Sequence, residues 1–147
     1  MSLRPRVIPV LLLQNGGLVK TTRFKHPKYV GDPINAVKIF NEKEVDELLL
    51  LDITCSVNQT EPNYNLILEI VSEAFMPVGY GGGIKNAEQA KRIFDLGIEK
   101  IILNTSLQAN SDLVSKISGM YGSSSVVANI DYKKNIYLTT GDNLYCE

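Results

Sequence analysis

The sequence has few of the residues that build metal centres or disulfide frameworks. Its two cysteines, Cys55 and Cys146, have neither the spacing of a zinc motif nor that of a disulfide framework. Its one histidine, His26, lies in a lysine-rich polar stretch with no cysteine or aspartate nearby, and we interpret it as a surface residue. We therefore expect no metal, no cofactor and a reducing, cytoplasmic compartment.

The charge balance and the hydropathy of the sequence argue against a nucleic-acid-binding protein and against a membrane-spanning one. Fifteen basic residues against 16 acidic ones give a net charge of −1, which favours neither nucleic acid nor an acidic membrane as a partner. No apolar run approaches the roughly 18 residues of a membrane span, and we expect no signal peptide. With 147 residues, of which 44% are hydrophobic, residues 1–147 are expected to be a single domain's worth of chain, long enough for an ordinary core.

The most informative stretch is a run of three glycines, Gly81–Gly83. A short apolar run, Pro77–Tyr80, precedes them, and a helix signal follows, with Asn86 as N-cap and Gln89 at the spacing of a capping box. Such a turn can bind phosphate, because glycines let the backbone approach an anion and the free N–H groups point at it. The alternative is a tight turn that needs glycine only to reverse the chain. The spacing fits neither a dinucleotide fingerprint nor a P-loop.

Apolar runs alternate with helical patterns along the whole chain, which predicts a parallel sheet with helical crossovers. The expected strands are Val7–Leu13, Leu48–Leu51, Pro77–Tyr80, Lys100–Leu103 and Ser125–Ile130. The expected helices begin at Pro33 behind the cap Asp32, cover residues 66–74, follow Asn86 until Gly97, and cover residues 111–120. We expect residues 20–31 to be a polar loop and residues 136–145 a small hairpin.

Four βα units and a fifth strand fit two architectures. Length favours an open doubly wound sheet, because a complete (βα)₈ barrel needs about 250 residues. The polar or glycine residues that follow every strand favour part of a barrel, which collects its site from all its strands, whereas a doubly wound sheet concentrates it at one switch point.

The chain resembles the N-terminal part of the cyclase subunit of imidazole glycerol phosphate synthase, a (βα)₈ barrel of histidine biosynthesis. The resemblance runs from about residue 6 to the end, and it is carried by an ordered set of motifs: Gly16–Lys20, Gly31-Asp32-Pro33, Asp46-Glu47-Leu48, Leu51–Thr54, Gly81–Ile84, Lys100, Asn104-Thr105 and Ile130-Asp131. It implies an α/β fold of the TIM-barrel family, present here as roughly a half-barrel.

The resemblance also implies a reaction. Members of the family join ammonia, released by a glutamine amidotransferase partner, to a ribulosyl formimino-carboxamide nucleotide. Two aspartates do the acid–base work. Asp131 matches the second, whereas Leu12 stands where the first is expected. A leucine cannot transfer a proton, so the resemblance does not carry the cyclisation over intact.

Two further sets of residues match family sites. One set matches a phosphate site: Gly82, Gly83, Asn104, Thr105 and Lys20. The other matches three of the four charged residues around the ammonia entrance, at the opposite end of the strands: Arg6, Glu47 and Lys100.

Three single residues carry smaller expectations. Cys55 is expected to pack as a small side chain rather than act as a nucleophile. Asp52 is expected to orient ligand or internal groups, with Lys20 or Lys100 as its charge partner. Tyr80 stands where a small apolar residue is commoner in the family that the chain resembles, and it is expected to reshape the pocket.

Three functions stay open at this point. The first is the histidine-pathway cyclase. The second is a divergent branch that delivers ammonia to another reaction, such as amidination of surface-polysaccharide sugars, which the first-strand pattern and Leu12 favour. The third is a phosphate-binding half-barrel without catalysis, whose exposed strand edges predict self-association.

Overall fold

The protein, seen here in a computed structural model, is a layered α/β fold. The structure describes residues 3–130, 133–135 and 143–145. Its strands are β1 (Val10–Gln14), β2 (Gly17–Thr22), β3 (Lys25–Gly31), β4 (Leu48–Asp52), β5 (Val78–Gly81), β6 (Lys100–Leu103), β7 (Val126–Ala128), β8 (Lys133–Asn135) and β9 (Asn143–Tyr145). Its helices are α1 (Pro33–Glu42), α2 (Ile53–Asn58), α3 (Tyr64–Glu73), α4 (Ala87–Asp95), α5 (Thr105–Ala109) and α6 (Ser111–Tyr121), with a 3₁₀ turn at Ser123–Ser125.

The main sheet has seven strands in the order β3-β2-β1-β4-β5-β6-β7. Five strands pair in parallel, in the order β1-β4-β5-β6-β7, and β2 and β3 add an antiparallel hairpin at one edge. The predicted four βα units and fifth strand are therefore confirmed. The sheet is not closed within the described residues, so the fold is a partial barrel.

The core lies between one face of the sheet and its helices. Alternate strand residues such as Leu48, Leu50 and Val78 pack there against helical residues such as Ile67 and Ile93. The intervening strand residues point to the opposite face. Several of them remain partly exposed, because the described residues place no helical layer there.

The helix boundaries follow the predicted caps. The Asp32 carboxylate accepts a hydrogen bond from the Asn35 N–H (3.0 Å), with Pro33 in the first turn. The Asn86 side chain accepts from the Gln89 N–H (2.8 Å), and Gln89 in turn accepts from the Lys85 N–H. The expected capping box is therefore present, except that the Gln89 side chain bonds the N–H of Lys85, one residue before the N-cap, and not that of Asn86 itself.

Two parts of the prediction are wrong. Residues 20–31 are not a loop: most of them belong to β2 and β3, and the expectation of a sheet without antiparallel pairs fails there. The lysine-rich composition hides the hairpin, and Pro27 is tolerated because β3 is an edge strand. The strand expected at Val7–Leu13 begins only at Val10.

The last predicted elements fall partly beyond the described residues. β7 is shorter than the expected strand and ends at Ala128. β8 and β9 form an antiparallel pair near the expected tail hairpin, but the strand predicted at residues 136–139 lies outside the described part of the chain.

Candidate functional site

A cavity of about 550 Å³ opens at the carboxyl ends of β1, β4, β5 and β6. Its floor includes Leu12, Leu51 and Ile102, which the parallel register places side by side through Gly81. Its rim is built by the segments that follow the strands, as in a barrel site. The cavity therefore combines an apolar floor with a polar, glycine-rich rim.

The glycine turn on this rim has no room for side chains. Gly82 and Gly83 have φ values of +129° and +69°, which L residues rarely adopt. A Cβ on Gly82 would lie 2.9 Å from the Asp52 Cβ, and one on Gly83 would lie 2.7 Å from the Cys55 Cβ. Packing against the end of β4 and the first turn of α2 is thus sufficient to require glycine, whatever the turn binds.

Asn104 and Thr105 join the glycines on the same rim. Asn104 follows β6 directly and Thr105 begins α5, and both line the cavity together with Gly82 and Gly83. The Ser106 hydroxyl donates a hydrogen bond to the Ile84 carbonyl, which ties the start of α5 to the end of the glycine turn. Four of the five predicted phosphate-site residues therefore lie at one place.

Lys20, the fifth, lies in a neighbouring groove. Its exposed side chain lines a smaller cavity of about 300 Å³, which shares only Leu12 and Thr21 with the main one. From the same hairpin, Thr21 and Phe24 line the main cavity instead. The sequence did not indicate them, although Phe24 is the one aromatic residue between residues 20 and 28.

Asp52 does not pair with a lysine, contrary to expectation. Its buried carboxylate accepts hydrogen bonds from the N–H groups of Thr54 (2.9 Å) and Cys55 (3.3 Å) and so caps α2. No ion pair of Asp52 occurs in residues 3–130. The charge is offset by backbone donors, which is what a buried carboxylate requires.

Cys55 is a buried thiol, as the prediction of a packing role required. Burial raises its pKa, and the neighbouring Asp52 carboxylate raises it further. The thiolate needed for nucleophilic attack is disfavoured. Its Sγ donates to the Glu61 carbonyl at 3.2 Å.

Tyr80 does not reshape the pocket as predicted. Its side chain is buried in the core between the sheet and the helices, and it is absent from the cavity lining. The reason is the alternation along β5, which turns Gly79 and Gly81 to the cavity face and Tyr80 away from it. Burial raises the pKa of its phenol, with smaller contributions from Asp52 and Cys55.

The three predicted entrance residues meet at the amino ends of the strands. Arg6 Nη2 lies 2.8 Å from Glu47 Oε2, and Lys100 Nζ lies 2.8 Å from Glu47 Oε1. The Glu47 side chain is only 3% exposed, whereas those of Arg6 and Lys100 are 56% and 28% exposed. We call Arg6, Glu47 and Lys100 the charged cluster. Sequence reasoning located all three of its members.

The resemblance assigns catalysis to two positions, of which the structure describes only one. Leu12 lies on the cavity floor, where it pairs in register with Leu51. Asp131 lies outside the described residues, so its catalytic role stays a prediction. Within the described part of the chain, no three His, Cys, Asp or Glu side chains converge as a metal site would require.

A mainly parallel, unclosed α/β sheet with its cavity at the carboxyl ends of the strands defines the class: part of a (βα)₈ barrel with a pocket where such barrels carry their sites. The family described as "Histidine biosynthesis protein" matches residues 6–144. The chain belongs to this family.

The names of similar proteins agree with this family membership. Over 134 residues the chain is 58% identical to the "Putative imidazole glycerol phosphate synthase subunit hisF2" of Pseudomonas aeruginosa, which covers 91% of this chain and 53% of the relative. It is 54% identical over 132 residues to the "Putative imidazole glycerol phosphate synthase subunit HisF" of Leptospira borgpetersenii (90% and 52% covered). It is 37% identical over 140 residues to the "Imidazole glycerol phosphate synthase subunit HisF" of Methanococcus vannielii (95% and 52%). The chain spans about half the length of these relatives.

Among its described residues, no helix is long and apolar enough to cross a membrane.

Proposed function

We propose that this chain is the N-terminal part of an ammonia-using barrel subunit that works with a glutamine amidotransferase in a divergent branch of its family. In this proposal the ammonia serves amidination of a surface-polysaccharide sugar rather than the histidine-pathway cyclisation. The observation that carries it is the contrast between Leu12 on the cavity floor and the ion-paired charged cluster at the other end of the strands.

The contrast separates two kinds of chemistry. Cyclisation needs groups that give and take protons beside the substrate, and Leu12 offers none. Passage of ammonia needs a controlled entrance, and Glu47 with its two cations supplies charged groups of both signs there.

In this proposal the rim of the cavity binds one phosphate of the ligand. The backbone of Gly82 and Gly83 approaches the anion, and Asn104 and Thr105 supply further donors. Lys20 reaches the ligand from the neighbouring groove, and Asp131 is the remaining catalytic carboxylate. We place the protein in the cytoplasm, where its partner and substrate would be available.

The phosphate site is tested by titrating the chain with inorganic phosphate and a ribose phosphate. Thr105→Ala should weaken binding, while Thr105→Ser, which keeps the hydroxyl, should bind like the original chain. The affected residue is exposed at the start of α5, so neither change should disturb the core. Equal affinities for all three chains would remove Thr105 from the site.

The branch is tested by turnover. The chain, joined to a C-terminal half-barrel of the same family, is given the ribulosyl nucleotide and ammonium salt, and the loss of substrate absorbance is followed. We expect no turnover in a folded protein that binds the substrate, and partial recovery in Leu12→Asp. Turnover without that substitution would instead establish the second candidate, the histidine-pathway cyclase, which the family membership favours.

A third candidate is a half-barrel that binds phosphate or associates with itself. The observation in its favour is the unclosed sheet, whose outer strands and second face remain open in the described residues. Sedimentation of the chain over a concentration series distinguishes it: a dimer that dissociates when the C-terminal half is added supports completion of a barrel.

A further inference from the structure

Asp46 precedes the buried member of the charged cluster, Glu47, yet its own contacts go elsewhere. Its Oδ2 accepts a hydrogen bond from the Val7 N–H at 2.7 Å, and its N–H donates to the Val7 carbonyl at 3.0 Å. The Leu49 N–H donates to the Pro9 carbonyl at 2.9 Å. The segment before β1 is therefore held at two points: Val7 bonds Asp46 through both its N–H and its carbonyl, and Pro9 bonds Leu49 of β4.

This clamp lies next to the ion pair of the charged cluster. Val7 follows Arg6, and Asp46 precedes Glu47. The hydrogen bonds between Val7 and Asp46 therefore lie directly beside the Arg6–Glu47 contact of 2.8 Å. The Arg6 side chain is more than half exposed, and an exposed ion pair alone holds a long side chain weakly. Because the Val7 backbone is held in place, the position of the adjacent Arg6 Cα, from which the side chain extends, is restricted as well.

The contacts of Asp46 go to the backbone of Val7 and not to the cations of the charged cluster. Within residues 3–130 it makes no ion pair, and the two cations of the cluster both contact Glu47. A carboxylate that accepts from a backbone N–H makes a stronger bond than a neutral acceptor does.

We propose that Asp46 is a positioning residue, which holds Val7 so that Arg6 reaches Glu47. The consequence for ammonia entry rests on the function proposed above, whereas the positioning itself does not.

The test uses nuclear magnetic resonance of the ¹⁵N-labelled chain. Three exchange rates are measured: those of the Val7 amide, the Arg6 guanidinium and the Lys100 ammonium. In Asp46→Ala the Val7 amide should exchange about tenfold faster, as expected for loss of one charge-assisted hydrogen bond. The Arg6 guanidinium should exchange as fast as that of exposed Arg4. The Lys100 ammonium, paired with Glu47 independently, should not change.

Asp46→Asn is the matched control, because its amide oxygen can accept from Val7 without the charge. It should retain a slow Arg6 signal. If Asp46→Ala does not give a folded spectrum, Asp46→Val, which has a side chain of similar size but no acceptor, takes its place.

Three results would overturn the proposal. One is a fast Val7 amide with an unchanged Arg6, which would mean that Glu47 alone holds the arginine. Another is an unchanged Val7 amide. The third is an Asp46→Asn chain that behaves like Asp46→Ala, which would assign the effect to charge. A failure of ammonia transfer in the complete subunit would leave these signals as they are, so the two proposals fail separately.

Discussion

Replacing Gly82 with alanine separates what the glycine turn needs for folding from what it needs for binding. Two effects add in Gly82→Ala: a side chain in a region of positive φ that L residues rarely adopt, about 1–3 kcal/mol, and overlap with Asp52, about 1–3 kcal/mol. The added Cβ would lie 2.9 Å from the Asp52 Cβ, and the Asp52 carbonyl oxygen is also in its way. The expected loss is about 2–6 kcal/mol, a large part of an ordinary domain's stability.

Two other glycines provide matched controls. Gly16 has a φ of +79° but nothing within 4 Å of an added Cβ, so Gly16→Ala should lose only the conformational part, about 1–2 kcal/mol. Gly119, exposed inside α6 with equally open space, should become more stable by about 0.5–1 kcal/mol when alanine replaces it.

Urea unfolding followed by circular dichroism measures all three differences, with the slope of each transition checked for constancy. The order of midpoints should be Gly119→Ala, the original chain, Gly16→Ala and then Gly82→Ala. A Gly82→Ala chain as stable as Gly16→Ala would refute the claim that Asp52 blocks the position. The strict need for glycine would then have to come from ligand binding.

Two further predictions concern the charged cluster and the buried thiol. Lys100→Met should destabilise the fold by about 1–2 kcal/mol and Arg6→Met by less than about 1 kcal/mol, because Lys100 is the more buried partner of Glu47 and exposed pairs contribute little; equal losses in urea unfolding would contradict this. With Cys146 replaced by serine, Cys55 should react with iodoacetamide at pH 8 far more slowly in the folded chain than in guanidinium chloride, because its raised pKa and burial both limit the thiolate; similar rates in the two states would contradict the buried thiol.

The parallel part of the fold could be predicted because its signals are local. A run such as Leu48–Leu51 needs both faces covered, and the caps Asp32 and Asn86 show where α1 and α4 begin. The hairpin of β2 and β3 could not, because β3 is exposed along nearly its whole length and β2 fully buries only Leu18, so neither strand has the apolar pattern of the parallel strands.

Some features of the site could likewise be predicted from the sequence, and others could not. The charged cluster and the glycine rim follow from strand ends, which parallel register brings together whatever the side chains are. The partner of Asp52 and the direction of Tyr80 depend on short-range geometry. Asp52 finds two backbone N–H groups in the first turn of α2, a helix too short for a periodic signal, and so needs no lysine.

The apolar floor bears most directly on function. Leu12 and Leu51 are paired in adjacent strands and face the cavity together, so Leu12→Asp places a carboxylate beside a leucine and not beside a donor. Such a carboxylate is poorly solvated unless ligand or water supplies partners, and its pKa would rise. The substitution should therefore restore proton transfer only if the missing half of the barrel brings polar groups to the same floor. A gain in cyclisation in the joined barrel, absent when the C-terminal half is omitted, is the result that this reasoning requires.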